Sequence, residues 1–584
     1  MRHSVLAAAA LAAAPLAPAT LAAQSAPPAP APAAPILAGV AAPGPRTYAA
    51  RPTGAAITPQ DLMSRLYVFA DDSMMGREAG TLGNVKGTDY LAAEARRIGL
   101  RPAGENGTYF QTIPLKTRAV DTSSAVTVGQ RRLAFGRDFA SAAGGTVTQA
   151  GVQVVYGGVV GDSARLTPAQ TAGKLVVLRV TGFSPAVIRA LQSREPLVPG
   201  AAAVALAGLD PFIPRAVAPT TFFEKDAATA AAASSGPPLL LVTADAAQAM
   251  FPAPLAGLAL NTAGTPAALD VRVTVAPIAT PARNVVALLP GSDPALAGQY
   301  VAVGAHNDHV GYARRAADHD SLRIYNHLVR PGGAEDEQNQ ATPEQQARVN
   351  AELAAWRAAH PGTARADSIR NGADDDGSGS VTVLEMAERL AGMKSKPKRS
   401  VLFVWHTGEE KGLWGSEWYT DHPTVPRDSI VAQLNMDMVG RGAASDETGK
   451  TKDGRPIHGG PGYLQLVGSR RLSTELGNLA ENINVNGRHG LRFDYAMDAN
   501  GHPMNIYCRS DHYSYARYGI PIIFFTTGGH SDYHQVTDEP QYVDYRRMAQ
   551  VGNYVADLAV AVANLDHRVI VDKPKPEPGA SCQQ

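Results

Sequence analysis

The sequence predicts an α/β protein with a mixed, largely parallel sheet flanked by helices, and a β-rich unit inserted into it. In the second half of the chain, apolar runs of strand length alternate with segments whose apolar residues recur at helical spacing. Those runs are apolar throughout, as in strands buried on both faces of a sheet. Residues 149–278 differ, because short apolar runs are separated there by Gly, Pro and Ala, which is typical of a β-rich unit.

The first residues have the pattern of a secretory signal peptide. A short basic start is followed by the apolar run Val5–Leu21 and by small residues up to Ala23. A membrane anchor is the alternative, but the run is short for a bilayer span and contains Pro15 and Pro18. We therefore assign 1–23 to a signal peptide and expect a periplasmic or secreted protein without stable membrane insertion.

The pattern of elements divides the rest of the chain. Thr58 or Asp61 can cap a first helix, and Val85–Ile98 predicts a second. The predicted divisions are an Ala/Pro-rich linker at 24–52, the N-terminal part of the main domain at 53–148, the β-rich unit at 149–278, the remainder of the main domain at 279–568 and a flexible tail at 569–584.

Composition narrows the function classes. A chain of 584 residues is too long for one ordinary core, and 45% hydrophobic with 18% charged residues suits a folded protein. Basic and acidic residues are equal at 53 each, which argues against a nucleic-acid partner. Cys508 and Cys582 are the only cysteines, and their pairing stays open. Any metal must therefore be bound by His and carboxylates. No sequence feature indicates an oligomeric state.

Polar side chains follow four predicted strands of the main sheet. The runs that predict its strands are Val285–Leu289, Tyr300–Val303, Ser400–Trp405, Ile430–Met436 and Ile520–Phe525. The residues that follow the last four runs are His306 and Asp308, Glu409 and Glu410, Asp437 and, after a short loop, His534. Ligands bind beyond the carboxyl ends of strands in open α/β sheets. We therefore expect one polar cluster at this edge.

A dense acidic turn adds to this cluster. Asp374, Asp375 and Asp376 are consecutive and open the next predicted helix, and three adjacent carboxylates repel one another unless cations are present. His and carboxylates without Cys suit zinc, although cobalt or manganese supports similar chemistry. A carboxylate shared by two metals about 3.5–4 Å apart is typical of co-catalytic hydrolases.

Each signal has an alternative interpretation. The segment Asp374–Glu385 also fits the spacing of a calcium-binding EF-hand loop, but Asn371 and Gly372 break any helix that would enter it. Several residues taken singly fit structural or surface roles, namely Glu409 with Glu410, His306, Asp437, His309 and His512. Their joint position at successive strand ends favours a functional site.

With these residues in view, the sequence resembles the co-catalytic dizinc aminopeptidase family, whose zinc exopeptidase fold is shared by glutamate carboxypeptidases and glutaminyl cyclases. The motifs that carry the resemblance are His306-x-Asp308, the Asp-Asp-Gly-Ser-Gly turn, Gly408-Glu409-Glu410, Asn435-Met-Asp437, Arg509-Ser-Asp511-His512, Asp532-Tyr-His534 and, near the start, Gly76-Arg77-Glu78-Ala79-Gly80. The β-rich unit resembles the protease-associated domain that many members carry.

The resemblance implies a role for each site residue. It implies two zinc ions per chain, and a strained link between Asp375 and Asp376 that can be cis. The implied ligands are His306 and Asp437 for one zinc, Glu410 and His534 for the other, and Asp375 as the bridge. Asp308 would orient His306. Glu409 would be the general base that takes a proton from the attacking water.

Two features of the site remain open. Family members stabilise the oxyanion with a Tyr or Arg before the Ser-Asp-His run, or with the Tyr before the last His; Tyr507, Arg509 and Tyr533 stand at such places, with ordinary packing as the alternative. The polar segment 313–370 departs from the family pattern. It is long for a loop, has a helix-like core at Pro343–Ala359, and is either a surface insertion or a lid that restricts substrates.

We therefore expect a metal-dependent exopeptidase acting on peptides, foremost an aminopeptidase that removes N-terminal residues with a dizinc-activated water and Glu409 as base. A carboxypeptidase of the glutamate carboxypeptidase type stays open, because Arg509, Arg323 and Arg330 offer cations for a substrate carboxylate. The two full ligand sets weigh against a glutaminyl cyclase. The retained ligands and base weigh against an inactive binding protein on the same fold.

Overall fold

The computed structural model describes residues 36–37, 43–182, 198, 200–229, 235–362 and 364–584. The predicted signal peptide, 1–23, and most of the predicted linker lie outside these residues. Within them, none of the helices combines the length and the apolarity needed to span a bilayer.

The N-terminal segment supplies two helices and two strands to the main domain. They are α1 (Pro59–Phe69), α2 (Leu82–Ile98), β1 (Arg101–Pro102) and β2 (Phe110–Ile113). Of the two predicted caps for α1, the structure uses Thr58, whose Oγ1 accepts a hydrogen bond from the Asp61 N–H at 3.1 Å. Gly99 ends α2 in the left-handed conformation, with φ of 87°.

The β-rich unit is larger than predicted. Its elements and the strands beside it are β3 (Leu115–Val120), β4 (Ala125–Val128), β5 (Arg131–Ala134), β6 (Phe139–Ala143), β7 (Val147–Val152), β8 (Val154–Val159), α3 (Pro168–Thr171), β9 (Leu175–Arg179), β10 (Ala203–Ala207), α4 (Ile213–Ala216), β11 (Thr220–Phe223), β12 (Leu239–Val242), α5 (Ala244–Gln248), β13 (Ala267–Val271) and β14 (Val273–Pro277). The predicted boundary at residue 149 lies inside the unit, because β4 pairs with β13 and β6 pairs with β12.

The rest of the main domain follows the predicted alternation of strands and helices. Its elements are β15 (Ala282–Leu289), β16 (Tyr300–His306), β17 (Tyr312–Asp318), α6 (His319–Val329), α7 (Pro343–Ala359), β18 (Ala366–Ile369), α8 (Gly379–Gly392), β19 (Ser400–His406), α9 (Trp414–Asp421), β20 (Ile430–Met436), β21 (Glu447–Lys450), β22 (Pro456–His458), β23 (Tyr463–Val467), α10 (Thr474–Asn486), β24 (Arg492–Asp494), α11 (His512–Ala516), β25 (Ile522–Thr526) and α12 (Tyr545–Asn564).

The main sheet has nine strands and is mixed, as predicted. Its order is β1-β15-β19-β16-β20-β25-β23-β24, with β2 also paired to β15. The four central strands β19, β16, β20 and β25 are mutually parallel, whereas β15 and β23 join them antiparallel. All four central carboxyl ends therefore meet at one edge of the sheet.

Both faces of the sheet are covered, which explains why its strands are apolar throughout. In β19, Phe403 and Trp405 belong to the apolar cluster that α1, α2, α8 and α12 form on one face. Leu402 and Val404 belong to the cluster on the other face, with Tyr515 from α11. Alternate residues of a strand point to opposite faces, so a strand covered twice is apolar at every position.

The segment predicted as a flexible tail is attached to the domain. Cys582 forms a disulfide with Cys508. Gln584 donates from Nε2 to the main-chain oxygen of Ala499 at 3.2 Å, and its Oε1 accepts from the Tyr507 N–H at 3.0 Å. Pro and Lys content alone predicts an extended chain, whereas the covalent link and these bonds fix its end.

Candidate metal centre

Four neighbouring parallel strands bring the predicted ligands to one edge of the sheet. His306 is the last residue of β16, and Asp437 directly follows β20. Glu410 follows β19 in a short turn, and His534 lies in the loop after β25. Asp375 comes from the turn that opens α8. The structure therefore brings all five predicted metal ligands together.

Asp375 lies between two groups of ligands. Its Oδ1 is 3.1 Å from His306 Nε2, and Asp437 Oδ1 is 3.6 Å from the same nitrogen. Its Oδ2 is 2.9 Å from His534 Nε2, which is also 2.9 Å from Glu410 Oε2. The two carboxylate oxygens of Asp375 thus face different histidines, which is the arrangement required of a bridge.

The donor atoms fit two divalent cations. His306 Nε2, His534 Nε2 and Asp375 Oδ2 are buried, and none makes a hydrogen bond of acceptable geometry to the described residues. Such atoms are costly in a protein interior unless something binds them. Each group supplies imidazole nitrogen and carboxylate oxygen within 4.8 Å, the donor set that suits zinc.

Asp376 holds the ligand loops together. The peptide bond between Asp375 and Asp376 is cis, the geometry that the family resemblance allowed. The Asp376 carboxylate accepts hydrogen bonds from the N–H groups of His306 at 3.1 Å, Gly379 at 2.8 Å and Met438 at 3.2 Å. One buried side chain therefore fixes the end of β16, the start of α8 and the loop after β20.

Glu409 lies next to the metal groups without belonging to either. It lines the same cavity as Asp375 and Asp437. Burial, opposed by His306 and reinforced by Asp437, raises the pKa of Glu409 well above its usual range. A carboxylate with a raised pKa is a stronger proton acceptor, so this environment suits a general base.

Asp308 contacts both His306 and Glu409. Its main-chain oxygen lies 3.1 Å from His306 Nδ1, whereas its carboxylate Oδ1 is 3.7 Å from that nitrogen. The same Oδ1 accepts a hydrogen bond from the Glu409 N–H at 3.2 Å. Asp308 therefore orients the histidine through its carbonyl, and the base through its carboxylate.

The three candidate oxyanion donors are not equivalent. Arg509 and Tyr533 line the cavity beside Glu409. Tyr507 instead packs in the apolar cluster on the far face of the sheet, where its ring stacks on the Arg471 guanidinium at 4.5 Å. Of the three candidates, Arg509 and Tyr533 can therefore reach a substrate in the cavity, whereas Tyr507 points into the core.

The cavity beside the ligands measures about 290 Å³. Its apolar wall is formed by Met438, Met497, Met504, Ile506 and Phe524. Gly332, Glu335, Asp336 and Gln338 of the predicted insertion also line the cavity. There Glu335 pairs with Arg509, and the Ala334 N–H donates to the Tyr533 oxygen at 3.1 Å. The insertion thus contacts the loop that carries His534 and forms part of the cavity wall.

His309 is a site residue that the sequence left open to a structural role. It is fully buried, and its Nδ1 lies 2.8 Å from Glu410 Oε1. An ionised carboxylate only accepts, so the Nδ1–H must donate. Burial and Asp375 oppose the ionisation of Glu410, but His534 and His309 overcome them and lower its pKa. The sequence signal that could have identified His309 is its position directly after the motif His306-x-Asp308.

We expect His309→Ala to weaken metal binding in the half-site of Glu410 and His534 by about 10-fold to 100-fold, because Glu410 loses its donor. His309→Asn places an amide N–H near the position of Nδ1 and should retain most of the affinity. Competition with a chromogenic chelator measures this. Equal metal affinity in the Ala variant and the wild type would show that the contact does not support the site.

Comparisons with known proteins agree with this geometry. Residues 284–559 match peptidase family M28. Leupeptin-inactivating enzyme 1 of Streptomyces exfoliatus is 39% identical over 77 residues, covering 13% of this chain and 18% of that protein. Leucine aminopeptidase 1 of Ajellomyces dermatitidis is 30% identical over 205 residues, covering 33% of this chain and 48% of that protein. The chain thus spans less than half the length of these curated relatives.

Among solved structures, the zinc aminopeptidase BSAP of Bacillus subtilis superposes with a TM-score of 0.46 and 15% identity, over 87% of this chain and 95% of that one. The matched segment 284–559 holds all five candidate ligands and Glu409. Residues 284–559 are thus similar in sequence to peptidase family M28, and the candidate metal centre lies within this segment.

Proposed function

We propose that this chain is a metal-dependent aminopeptidase that binds two zinc ions and hydrolyses N-terminal residues of peptides. The observation that carries the proposal is the placement of Asp375, whose two oxygens face two separate ligand groups. Glu409 stands beside both groups and remains free for proton transfer. The names of the curated relatives, among them leucine aminopeptidase 1, point the same way.

The residues divide the work of hydrolysis. When bound, the two ions supply Lewis acidity for the attack of water on a peptide carbonyl. Glu409 accepts a proton from that water and delivers it to the departing amine as the C–N bond breaks. The Tyr533 hydroxyl and the guanidinium N–H groups of Arg509 that Glu335 does not use donate hydrogen bonds to the carbonyl oxygen as it gains negative charge.

Charge on the cavity wall favours a free amino terminus. The carboxylates on the wall are Glu335, Asp336, Asp375, Glu409, Asp437 and Glu447. Its two cations are already paired: Arg509 with Glu335, and Lys450 with Asp336 and Glu447 at 3.7 Å each. The wall carboxylates that are not assigned to a metal, Glu335, Asp336, Glu409 and Glu447, outnumber these two side-chain cations and favour the ammonium group of a peptide over its carboxylate.

The apolar wall favours an apolar first residue. Three of its five side chains are Met, which adapts to side chains of different shapes. We therefore expect Leu, Met and Phe at the amino terminus to be preferred over charged residues. Each buried methylene contributes about 0.8 kcal/mol to binding, so Leu should exceed Ala by about 10-fold or more in kcat/KM.

A substrate panel tests the function. Leucine p-nitroanilide should be hydrolysed, and N-acetylation should lower kcat/KM by about 100-fold or more, because the acidic wall loses its ammonium partner. The same samples should contain two zinc ions per chain by elemental analysis. Release of C-terminal residues from blocked peptides would indicate a carboxypeptidase. Cyclisation of N-terminal Gln by a protein that holds a single zinc would indicate a glutaminyl cyclase. A protein that holds its metal but turns over none of these substrates would be a binding protein.

We also propose that the chain is exported and that its β-rich unit is a protease-associated domain. The disulfide between Cys508 and Cys582 supports an oxidising compartment. The separate sheets of the β-rich unit support an independent module. Mass spectrometry of the exported protein should find a chain beginning near Gln24. An uncleaved chain retained in the cytoplasm would refute export.

A further inference from the structure

The N-terminal segment reaches the metal centre through Arg77. This residue precedes the matched family segment by about two hundred positions in the printed sequence and belongs to the motif Gly76–Gly80. Its main-chain oxygen accepts a hydrogen bond from the His309 N–H at 3.2 Å. A Cβ added at Gly76 would stand 2.6 Å from the Gly311 oxygen, so the two segments are in close contact.

The Arg77 guanidinium binds the loops that carry the ligands. Its Nε donates to the oxygen of Asn307 at 3.1 Å. Its two terminal nitrogens donate to the oxygens of Asn371 at 2.6 Å and Gly372 at 2.9 Å. A further bond reaches Phe69 of α1 at 3.0 Å. One planar fork therefore joins the residue after His306 to the turn that holds Asp375.

The burial and the charged neighbours of Arg77 keep its guanidinium in place as a cation. Its side chain is fully buried, and Gly87 of α2 makes room for it, because a Cβ there would lie 3.2 Å from Arg77 Cδ. Burial lowers the pKa of Arg77 to about 10, while Asp308, Asp375, Asp376 and Asp538 favour its charge. The group stays a cation at neutral pH although it forms no hydrogen bond to a carboxylate.

We propose that Arg77 is a positioning residue, which fixes the spacing between the His306 loop and the Asp375 turn and thereby the affinity for metal. The proposal rests on the dizinc site proposed above. Two effects of the side chain oppose each other. The hydrogen-bonded fork organises the ligands, whereas a positive charge beside the site repels metal cations. Geometry dominates, because the four bonds are direct and the charge is offset by neighbouring carboxylates.

The test uses the full chain and the variants Arg77→Lys and Arg77→Met. Arg399→Met is the matched control: Arg399 is also buried and donates to main-chain oxygens, those of Leu565 and His567, but stands at the opposite end of β19. Zinc content is measured over a series of buffered free-zinc concentrations, with circular dichroism of the same samples. Both Arg77 variants should need about 10-fold to 100-fold more free zinc for half-saturation. The control should melt earlier and bind zinc like the wild type.

Several outcomes would contradict the proposal. Tighter zinc binding by Arg77→Met would show that charge repulsion dominates. Wild-type zinc binding in both Arg77 variants, with melting temperatures lowered as in the control, would show a purely structural role. If Arg77→Met does not fold, the zinc affinity of Arg77→Lys alone tests the proposal, because Lys keeps the positive charge but cannot make the hydrogen bonds of the planar guanidinium. A wild type without zinc would instead refute the proposed function, and this inference with it.

Discussion

Replacing Glu409 by Gln should lower kcat by about 10²-fold to 10⁴-fold, the contribution typical of a general base. Gln has nearly the same shape as Glu but cannot accept the proton of the attacking water. Both metal groups should remain intact, since Glu409 belongs to neither of them. Steady-state kinetics with leucine p-nitroanilide, together with elemental analysis of the same preparation, measures both effects.

Glu417→Gln is the control for this prediction. Glu417 lies in α9, shortly after the turn that carries Glu409, and its carboxylate pairs with Lys225. Because this ion pair is partly exposed and neither partner lines the cavity, the control should keep its kcat and its metal. A Glu409→Gln enzyme that retained both full metal content and near wild-type kcat would rule out Glu409 as the base.

Replacing Asp375 by Asn should reduce the metal content from two ions to one or none and lower kcat by about 10³-fold or more. An amide offers one oxygen and one NH₂ group, so it has no second oxygen to act as a ligand in both the His306 group and the His534 group. A metal contributes several kcal/mol of transition-state stabilisation, and each 1.36 kcal/mol is tenfold in rate. Elemental analysis and kinetics report the two effects separately.

The neighbouring Asp374 provides the control for the bridge. Its Oδ1 accepts a hydrogen bond from the Gly440 N–H at 2.7 Å, and its Oδ2 lies 3.3 Å from His530 Nε2. Asp374→Asn keeps an acceptor for Gly440 and should keep both metals. If Asp375→Asn bound two ions as tightly as the wild type, the bridging role would be refuted.

The central strands could be predicted because burial on both faces leaves a strong mark in the sequence. The run Ile430–Met436 coincides with β20, whereas the run Tyr300–Val303 marks only part of β16. The last residues of β16, up to His306, are small or polar and so fall outside the apolar run, but they still pair with β19. The predicted ligand cluster followed from this edge of the sheet, since strand ends that meet bring their side chains together.

Long-range pairing and side-chain direction could not be predicted. β4 and β6 pair with β13 and β12, roughly 140 and 100 residues further along the chain, so no local pattern assigns them to the β-rich unit. Tyr507 and Arg509 are two residues apart in one loop, yet only Arg509 reaches the cavity. The hydrogen bonds of Arg77 to three separate segments likewise depend on the assembled fold.

The pairing of β2 with β15 has a consequence for the order of folding. Ile113 and Ala282 are direct partners in these two strands, so the chain leaves the main sheet and returns to it at adjacent positions. Everything between them emerges from the ribosome before β15 can meet β2. Joining the ends of a long unstructured loop costs conformational entropy, and a unit that has already folded removes most of that cost. A β-rich unit that folds during synthesis would therefore bring the end of β2 next to the start of β15 and shorten the loop that closes when the main sheet forms.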